Sequence, residues 1–336
     1  MRDEVSMRTV MLEGAEAPRF YISRLSNVLE NLALEEYLYD SFTPGELYFL
    51  VYADDDAVVL GRHQNPWIEC PVGALKAAGT PIARRSSGGG TVFHDRGNLT
   101  FSFITEKKYF DKERNLAFVR NALLRLGIEG AISPRGDILV AGRKISGNAQ
   151  CFRKEKALHH GTLLVRTDTD RLRASLGFCG ITIRTHAVAS VPHPVANLAE
   201  FRPGLTVDEV IEALWNEFAD NFTPVARSGP VTITELPSAA EELVLKNASW
   251  DWVYGHTPRF SVTLPIADDG SGSSLELEVS EGAVVSAVLT TAAARTDLTE
   301  RLSGIRFSSG EIAERLRRSG IRDSEELAAA VAKERF

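Results

Sequence analysis

Cysteine is scarce in this chain: Cys70, Cys151 and Cys179 are the only three in 336 residues. An odd number at wide spacing makes neither a disulfide framework nor a Cys-x-x-Cys metal pair, and it fits a reducing compartment. Positive charge is also short. The net charge is −7, whereas a non-specific nucleic-acid binder is normally basic, so no nucleic-acid partner is expected. No apolar run approaches the ~20 residues of a membrane span, so no membrane role is expected. The start, Met1-Arg2-Asp3-Glu4-Val5-Ser6, lacks the apolar core of a signal peptide and carries acids that a transit peptide avoids. Cytoplasm is the expected setting, with the mitochondrial matrix as the alternative. Several chemical signatures are missing too. There is no Walker A loop, no Gly-x-Gly-x-x-Gly, no His-Glu-x-x-His and no Gly-x-Ser-x-Gly.

Apolar residues make up 44% of the chain and charged residues 25%, the balance of an ordinary globular protein with real cores. The length points to two domains. Residues 20–23 read as a strand, and Ser26 to Tyr39 as a helix with Val28, Leu29 and Leu32 on one face. Leu47–Tyr52 and Ala57–Leu60, around Asp54-Asp55-Asp56, have the pattern of a β-hairpin. Trp67 beside Pro66 reads as a packed loop anchor. Pro71–Ala78 is a short helix stopped by Gly79. Leu99–Thr105 is a strand with mostly apolar residues alternating with polar ones. Leu116, Val119, Leu123 and Leu126 mark an amphipathic helix ending at Gly127. Lys144–Phe152 and Ala157–Val165 read as hairpin arms closed by Arg153-Lys154-Glu155-Lys156. Thr206 to Glu209 is a capping box. Thr223 to Ser238, with Pro224, Gly229, Pro230 and Pro237, reads as an interdomain linker. Beyond it, three strands, an acidic Gly/Ser loop from Asp268 to Ser274 and helical patterns describe a small α+β module.

One stretch stands out: Arg84-Arg85-Ser86-Ser87-Gly88-Gly89-Gly90-Thr91-Val92-Phe93-His94-Asp95. A tight turn needs one or two glycines. Three in a row suggest that something approaches the backbone, where exposed N–H groups and the two arginines suit phosphate or carboxylate oxygens. The bland alternative is a flexible hairpin loop beside a surface arginine pair. A second stretch is Gly142-Arg143-Lys144-Ile145-Ser146-Gly147. Its lysine either points into a cleft or is an exposed hairpin lysine. Adenylation of a carboxylate needs a backbone cradle, a fixed cation and a hard anion for Mg²⁺, and Asp137 lies close upstream. His159 and His160 are adjacent on a strand and point to opposite faces. The pair is a poor metal site, and one packed and one exposed ring is expected. Cys151 reads as a partly buried structural thiol.

These residues resemble those of a known family. The glycine stretch with Gly97-Asn98 looks like the signature of lipoate–protein ligase A and the related lipoyltransferases. Gly61-Arg62-His63-Gln64-Asn65-Pro66-Trp67, Lys144-Ile145-Ser146-Gly147, Asp137, and His159 to Leu164 are similar to further blocks. Trp250 to Phe260 resembles the start of that family's C-terminal domain. The resemblance implies an α+β fold: a mixed β-sheet catalytic domain of the biotin/lipoate ligase type with flanking helices, over residues 1–235, and a small α+β accessory domain over 236–336. It implies two steps. Lipoate and MgATP give lipoyl-AMP, and the acyl group then passes to a lysine of a lipoyl-carrier domain. The carriers implied are 2-oxoacid dehydrogenase E2 subunits and the glycine cleavage H protein, with the enzyme itself a monomer.

Carried over by position, Arg85, Gly88, Gly89, Gly90, Thr91, Val92, Phe93 and Lys144 face ATP or lipoyl-AMP. Arg84, Ser86, Val92, His94, Lys144 and Gly147 face lipoate. Lys144 is the catalytic cation, and Asp137 is a Mg²⁺ contact or else the partner of a nearby arginine. Val92, Phe93 and aliphatic residues of Leu47–Leu60 are expected to line the lipoyl pocket. Ser190-Val191-Pro192-His193-Pro194-Val195 departs from the Arg-containing stretch usual in ligase members. It resembles instead the transferase branch, which uses preformed lipoyl-AMP. A cysteine-dependent octanoyl or lipoyl amidotransferase is a further alternative and needs an activated thiol.

Overall fold

Asn27, with extended backbone, accepts the Leu29 N–H and so starts the first helix just ahead of an apolar run. The computed structural model that carries this helix describes residues 17–177, 180–222, 229–266, 272–321, 323–334 and 336. Cys179, residues 223–228 of the Thr223–Ser238 stretch read above as a linker, and residues 268–271 of the Asp268–Ser274 loop lie outside them. The chain runs β1 (Ala17–Ser23), α1 (Val28–Ser41), β2 (Glu46–Tyr52), β3 (Ala57–Leu60), the short helices α2 (Pro66–Glu69) and α3 (Val72–Ala77), β4 (Ile82–Arg84), β5 (Val92–His94) and β6 (Asn98–Glu106). Then come α4 (Lys112–Arg125), β7 (Ala131–Ile132), β8 (Ile138–Val140), β9 (Arg143–Ser146), β10 (Asn148–Arg153), β11 (Lys156–Leu164), α5 (Thr169–Ser175), β12 (Thr182–Thr185), α6 (Val207–Asn221) and β13 (Val231–Ile233). The tail holds α7 (Glu241–Ala248), β14 (Phe260–Pro265), β15 (Ser274–Ser280), β16 (Ala283–Thr290), β17 (Arg295–Asp297), α8 (Thr299–Leu302), α9 (Ser309–Arg317) and α10 (Ser324–Lys333).

The fold is mixed α+β, as expected. A six-stranded sheet of order β10-β11-β6-β2-β1-β13 is parallel on one side, β2-β1-β13, and antiparallel on the other. Its two faces have separate cores. Phe20, Phe49, Phe101 and Phe103 pack on α4 and α6 through Phe118 and Phe218. Tyr48, Leu50, Ile104 and Leu158 pack on α1 through Leu34, Leu38 and Tyr39. Covered on both faces, β6 is buried along its whole length, polar positions included. Alternation there marks which helix a residue meets, not core against solvent.

Two expectations about strand pairing are corrected. Leu47–Tyr52 and Ala57–Leu60 do not form a hairpin. β2 belongs to the large sheet, and β3 sits between β4 and β5 in a sheet of three. The turn between them is not an exposed tip, because Asp54 is fully buried and bonded by Asn31 of α1 and His94 of β5, each at 2.7 Å. Lys144 is likewise not in the hairpin arm. β10 and β11 pair as read from Asn148 onward, but β9 belongs to a separate sheet with β7 and β8.

The second module is a five-stranded antiparallel sheet of β12-β14-β15-β16-β17 backed by α8–α10. Its first strand comes from far upstream. Trp67 is fully buried in this module's core, with ring centroids 5.0–5.4 Å from Phe307, Tyr254 and Phe260. The loop anchor read from Pro66-Trp67 therefore joins the two modules. No helix among the described residues is long and apolar enough to cross a membrane.

Candidate active site

Between β5, the glycine loop, β9–β11 and the segment 188–193 lies a cavity of about 300 Å³, within the range of small-molecule sites. It brings together Arg85, Gly89, Gly90, Thr91, Val92, His94, Asp137, Lys144 and Gly147, residues singled out from three separate stretches of sequence. Arg84, Ser86, Gly88 and Phe93 do not line it. Strand periodicity explains Phe93: Val92 and His94 face the cavity, and the residue between them packs with Val58, Leu60 and Trp67 on the other side.

Arg84 is the clearest correction. It is fully buried, and its donors go to protein oxygens: Nε to Val253 O at 2.8 Å, Nη1 to Gly61 O, Arg62 O and Gln64 O at 2.9–3.0 Å, and Nη2 to Thr257 Oγ1 at 3.2 Å. Burial pushes its guanidinium down to about 10, yet the ring of carbonyl acceptors replaces much of the water it has lost. It pins the second module to the first and is not available to an anion in the cavity.

The lysine is held from both sides. Lys144 Nζ lies 2.8 Å from Asp137 Oδ1. Asp137 ends a tight turn in which its N–H donates to Ser133 Oγ and its carbonyl accepts from the Ser133 N–H. The ion-pair partner of Asp137 is therefore the lysine, where an arginine was the alternative. The Lys144 main chain donates to Pro194 O at 2.9 Å and accepts from the Ala196 N–H at 3.0 Å. The lysine is thus stitched to the segment that descends from β12. Gly147 is a close-approach glycine: a Cβ there would lie 2.8 Å from Lys144 Cε and Nζ.

The glycine loop is ordered by side chains. Of its three glycines only Gly89 has a left-handed backbone, with φ 86°. A Cβ on Gly88 would meet open space, while one on Gly90 would stand 3.0 Å from Ser190 Oγ. The loop passes so close to Gly61 that a Cβ there would lie 2.2 Å from Gly89 O. Ser190 is a node that sequence reading missed. Its hydroxyl accepts from the Thr91 N–H at 2.9 Å and from Gln64 Nε2 at 3.0 Å, and it donates to the Glu69 carboxylate. The nearest signal was the departure of Ser190–Val195 from the resembled pattern.

Further wall residues went unread, among them Tyr52, whose phenol burial pushes well above its ordinary value, and Arg135, which is exposed. His160 also lines the wall, and both His159 and His160 are buried, so the expectation of one exposed ring is corrected. α4 and α1 cover the two faces to which these rings point: His159 meets Asn115 at 3.1 Å and His160 meets Glu35 at 2.9 Å. Neither described cysteine lines the cavity. Cys70 packs in the second module's core, and Cys151 packs beside the α1 cluster.

A family model described as the lipoyl protein ligase A/B catalytic domain matches residues 27–219. The chain belongs to this family. It is 31% identical over 305 residues to a lipoate-protein ligase A of Psychrobacter cryohalolentis, covering 88% of this chain and 90% of that one. Among solved structures, a lipoate-protein ligase A bound with ATP superposes with TM-score 0.56 at 26% identity, covering 70% of this chain and 98% of that one. A bi-partite lipoate protein ligase from Thermoplasma acidophilum, studied with its E2 lipoyl domain, gives the same score and identity, covering 70% and 96%. LipL1 of P. falciparum in complex with lipoate shares the fold, with TM-score 0.62 at 22% identity over 94% of this chain and 99% of that one. The family match takes in every residue that lines the cavity.

Proposed function

We propose that this chain is a lipoate–protein ligase. A lipoate carboxylate oxygen attacks the α-phosphorus of ATP and pyrophosphate leaves. The ε-amine of a carrier-domain lysine then attacks the acyl carbon of lipoyl-AMP, loses a proton, and AMP leaves. The observation that carries the reading is that Lys144, its partner Asp137 and the Gly89–Gly90 backbone line one cavity.

In this reading Lys144 offsets the charge of the carboxylate and the α-phosphate as they approach, and later that of the acyl oxygen as the amine attacks. A mobile ammonium suits this better than a planar guanidinium. Part of the remaining lining, Leu32, Val59, Val92 and the ring of Tyr52, suits an apolar acyl chain, and it stands beside polar groups such as Thr100, Asn148, Thr162 and His193. No cluster of three or more metal-ligating side chains exists among the described residues. Mg²⁺ fits such a site all the same, since it is usually held by one or two carboxylates together with substrate phosphates. Asp137 would hold it, and when bound it would supply positive charge to the phosphates.

The relatives' names suggest an acceptor of the lipoyl-domain type. E2 subunits and the glycine cleavage H protein, a monomeric enzyme and an accessory role for residues 236–336 complete the reading. A second reading, transfer from preformed lipoyl-AMP without adenylation, is favoured by one observation. Of the three lining cations Arg85, Arg135 and Lys144, Arg85 is committed to loop carbonyls, which leaves little to hold a triphosphate. Pyrophosphate release from lipoate and MgATP, with and without a carrier domain, separates the two. Release supports the ligase; transfer from supplied lipoyl-AMP without release supports the transferase.

A further inference from the structure

Among the described residues, Arg85 has no carboxylate in direct contact. Its Nε–H donates to Ser87 Oγ at 3.1 Å, Nη1 to Val59 O at 3.1 Å, and Nη2 to both Gly88 O and Gly90 O at 2.6 and 2.7 Å. From Ser87 the chain of contacts continues inward. Ser87 Oγ lies 2.5 Å from His160 Nε2, and His160 Nδ1 lies 2.9 and 3.0 Å from the two Glu35 oxygens. Ser102 donates its hydroxyl to the same carboxylate. Glu35, Ser87, Arg85 and His160 are all more than nine-tenths buried.

Donor and acceptor counting orders the protons. The Glu35 carboxylate only accepts, so His160 Nδ1 carries a hydrogen. Ser87 Oγ accepts from Arg85 Nε–H, lies 2.5 Å from His160 Nε2 and stands 3.4 Å from Gly88 O, so each group has a partner. Burial alone pushes the Glu35 carboxyl up. The contacts from His160 and Ser102, with the nearby charge of Arg85, more than offset that and hold it below its ordinary value.

We propose that Glu35, His160 and Ser87 are positioning residues that set the shape of the glycine loop through Arg85. With Nε held on Ser87, Nη2 is left to grip the carbonyls of Gly88 and Gly90. In a trans peptide the N–H points opposite the carbonyl, so the amides of Gly89 and Thr91 are turned the other way. The Thr91 N–H does meet Ser190 Oγ on the cavity wall. A carboxylate on α1 thus fixes the direction of the backbone donors in a loop it does not touch. The relay itself holds in the ligand-free protein. Its consequence for affinity rests on the adenylate reading given above.

Amide hydrogen exchange of the ligand-free full chain tests it in wild type, Ser87→Ala, Glu35→Gln and the double variant. Each single change is expected to speed exchange of the 88–91 amides about tenfold, the loss of roughly one hydrogen bond, and the double no more than either alone. The β14–β16 amides should be unchanged. Unchanged loop exchange, multiplied effects in the double variant, or equal acceleration throughout the chain overturns the relay. Titration with a non-hydrolysable lipoyl-adenylate analogue is the second arm, with affinity expected to fall about tenfold in each variant. Equal affinity in wild type and variants overturns the link to binding. A wild type that does not bind the analogue overturns the adenylate reading instead, and the exchange result still decides the relay.

Discussion

Arg84 and Arg85 are neighbours in sequence, both are buried, and burial pushes both down to about 10. They belong to different machines. Arg84 turns toward the second module, where its donors hold Val253 and the Gly61–Gln64 loop, and its carbonyl accepts from Trp252 Nε1 at 2.6 Å. Arg85 turns toward the cavity and folds the glycine loop around itself. Phe93 against Val92 and His94 repeats the division one strand away. Alternation along a strand lets one thin sheet serve as the wall of a binding site on one side and as the mount for another module on the other. Substitutions one residue apart should therefore separate chemistry from stability.

The largest expected effect is on the cavity side. Lys144→Ala should lower acyl transfer by roughly a thousandfold, the order seen when a fixed electrostatic contact is removed, with little change in the denaturant midpoint. On the mounting side the order reverses. Trp67→Ala empties the space between Tyr254, Phe260 and Phe307. It should cost about 4 kcal/mol in equilibrium unfolding, and a change below about 1 kcal/mol would show that the modules do not share a core. Arg84→Met leaves a cluster of buried carbonyls unpaired and should cost about 3 kcal/mol, while the affinity for a lipoyl-adenylate analogue in the folded fraction stays near that of wild type.

Acid should act on the sheet and not on the mount. Burial pushes His159 down to about 3, whereas the unfolded chain binds its proton near 6.5. The unfolded state therefore takes up more protons as pH falls below that value. The stability that neutral His159 contributes is fully present above pH 6.5 and is lost progressively toward pH 3. By pH 5 the loss is about 2 kcal/mol, and His159→Gln should flatten that part of the unfolding profile. The smallest effect sharpens the comparison most. Gly147→Ala puts a methyl group against the end of Lys144 and should slow transfer about tenfold at nearly unchanged stability.

Much of this was legible in the letters. Gly89 and Gly90 of the glycine run line one cavity with Asp137, Lys144 and Gly147, which stand far from them in sequence. Periodicity found α1 and α4, and the capping box at Thr206 found the start of α6; the side chains of Asn27 and Asp111 cap the other two. What failed, failed for long-range reasons. Nothing local says that Asp54 is pulled inward by Asn31 and His94, so two strands of different sheets looked like one hairpin. Nothing local says that Arg84 meets carbonyls near residue 253. His159 and His160 alternate as a strand requires, but an exposed ring was expected because the helix over each face was not visible from the strand itself.

The central claim is that the Lys144 ammonium and the glycine-loop backbone act on the same acyl-phosphate junction. Its most direct test supplies chemically made lipoyl-AMP and an unmodified lipoyl-carrier domain to wild type and to Lys144→Ala, and follows the carrier by intact mass. The step is common to ligase and transferase, so the question of ATP does not enter. The account predicts rapid single modification of the carrier by wild type and transfer roughly a thousandfold slower with the variant. Transfer by Lys144→Ala at the wild-type rate would contradict it.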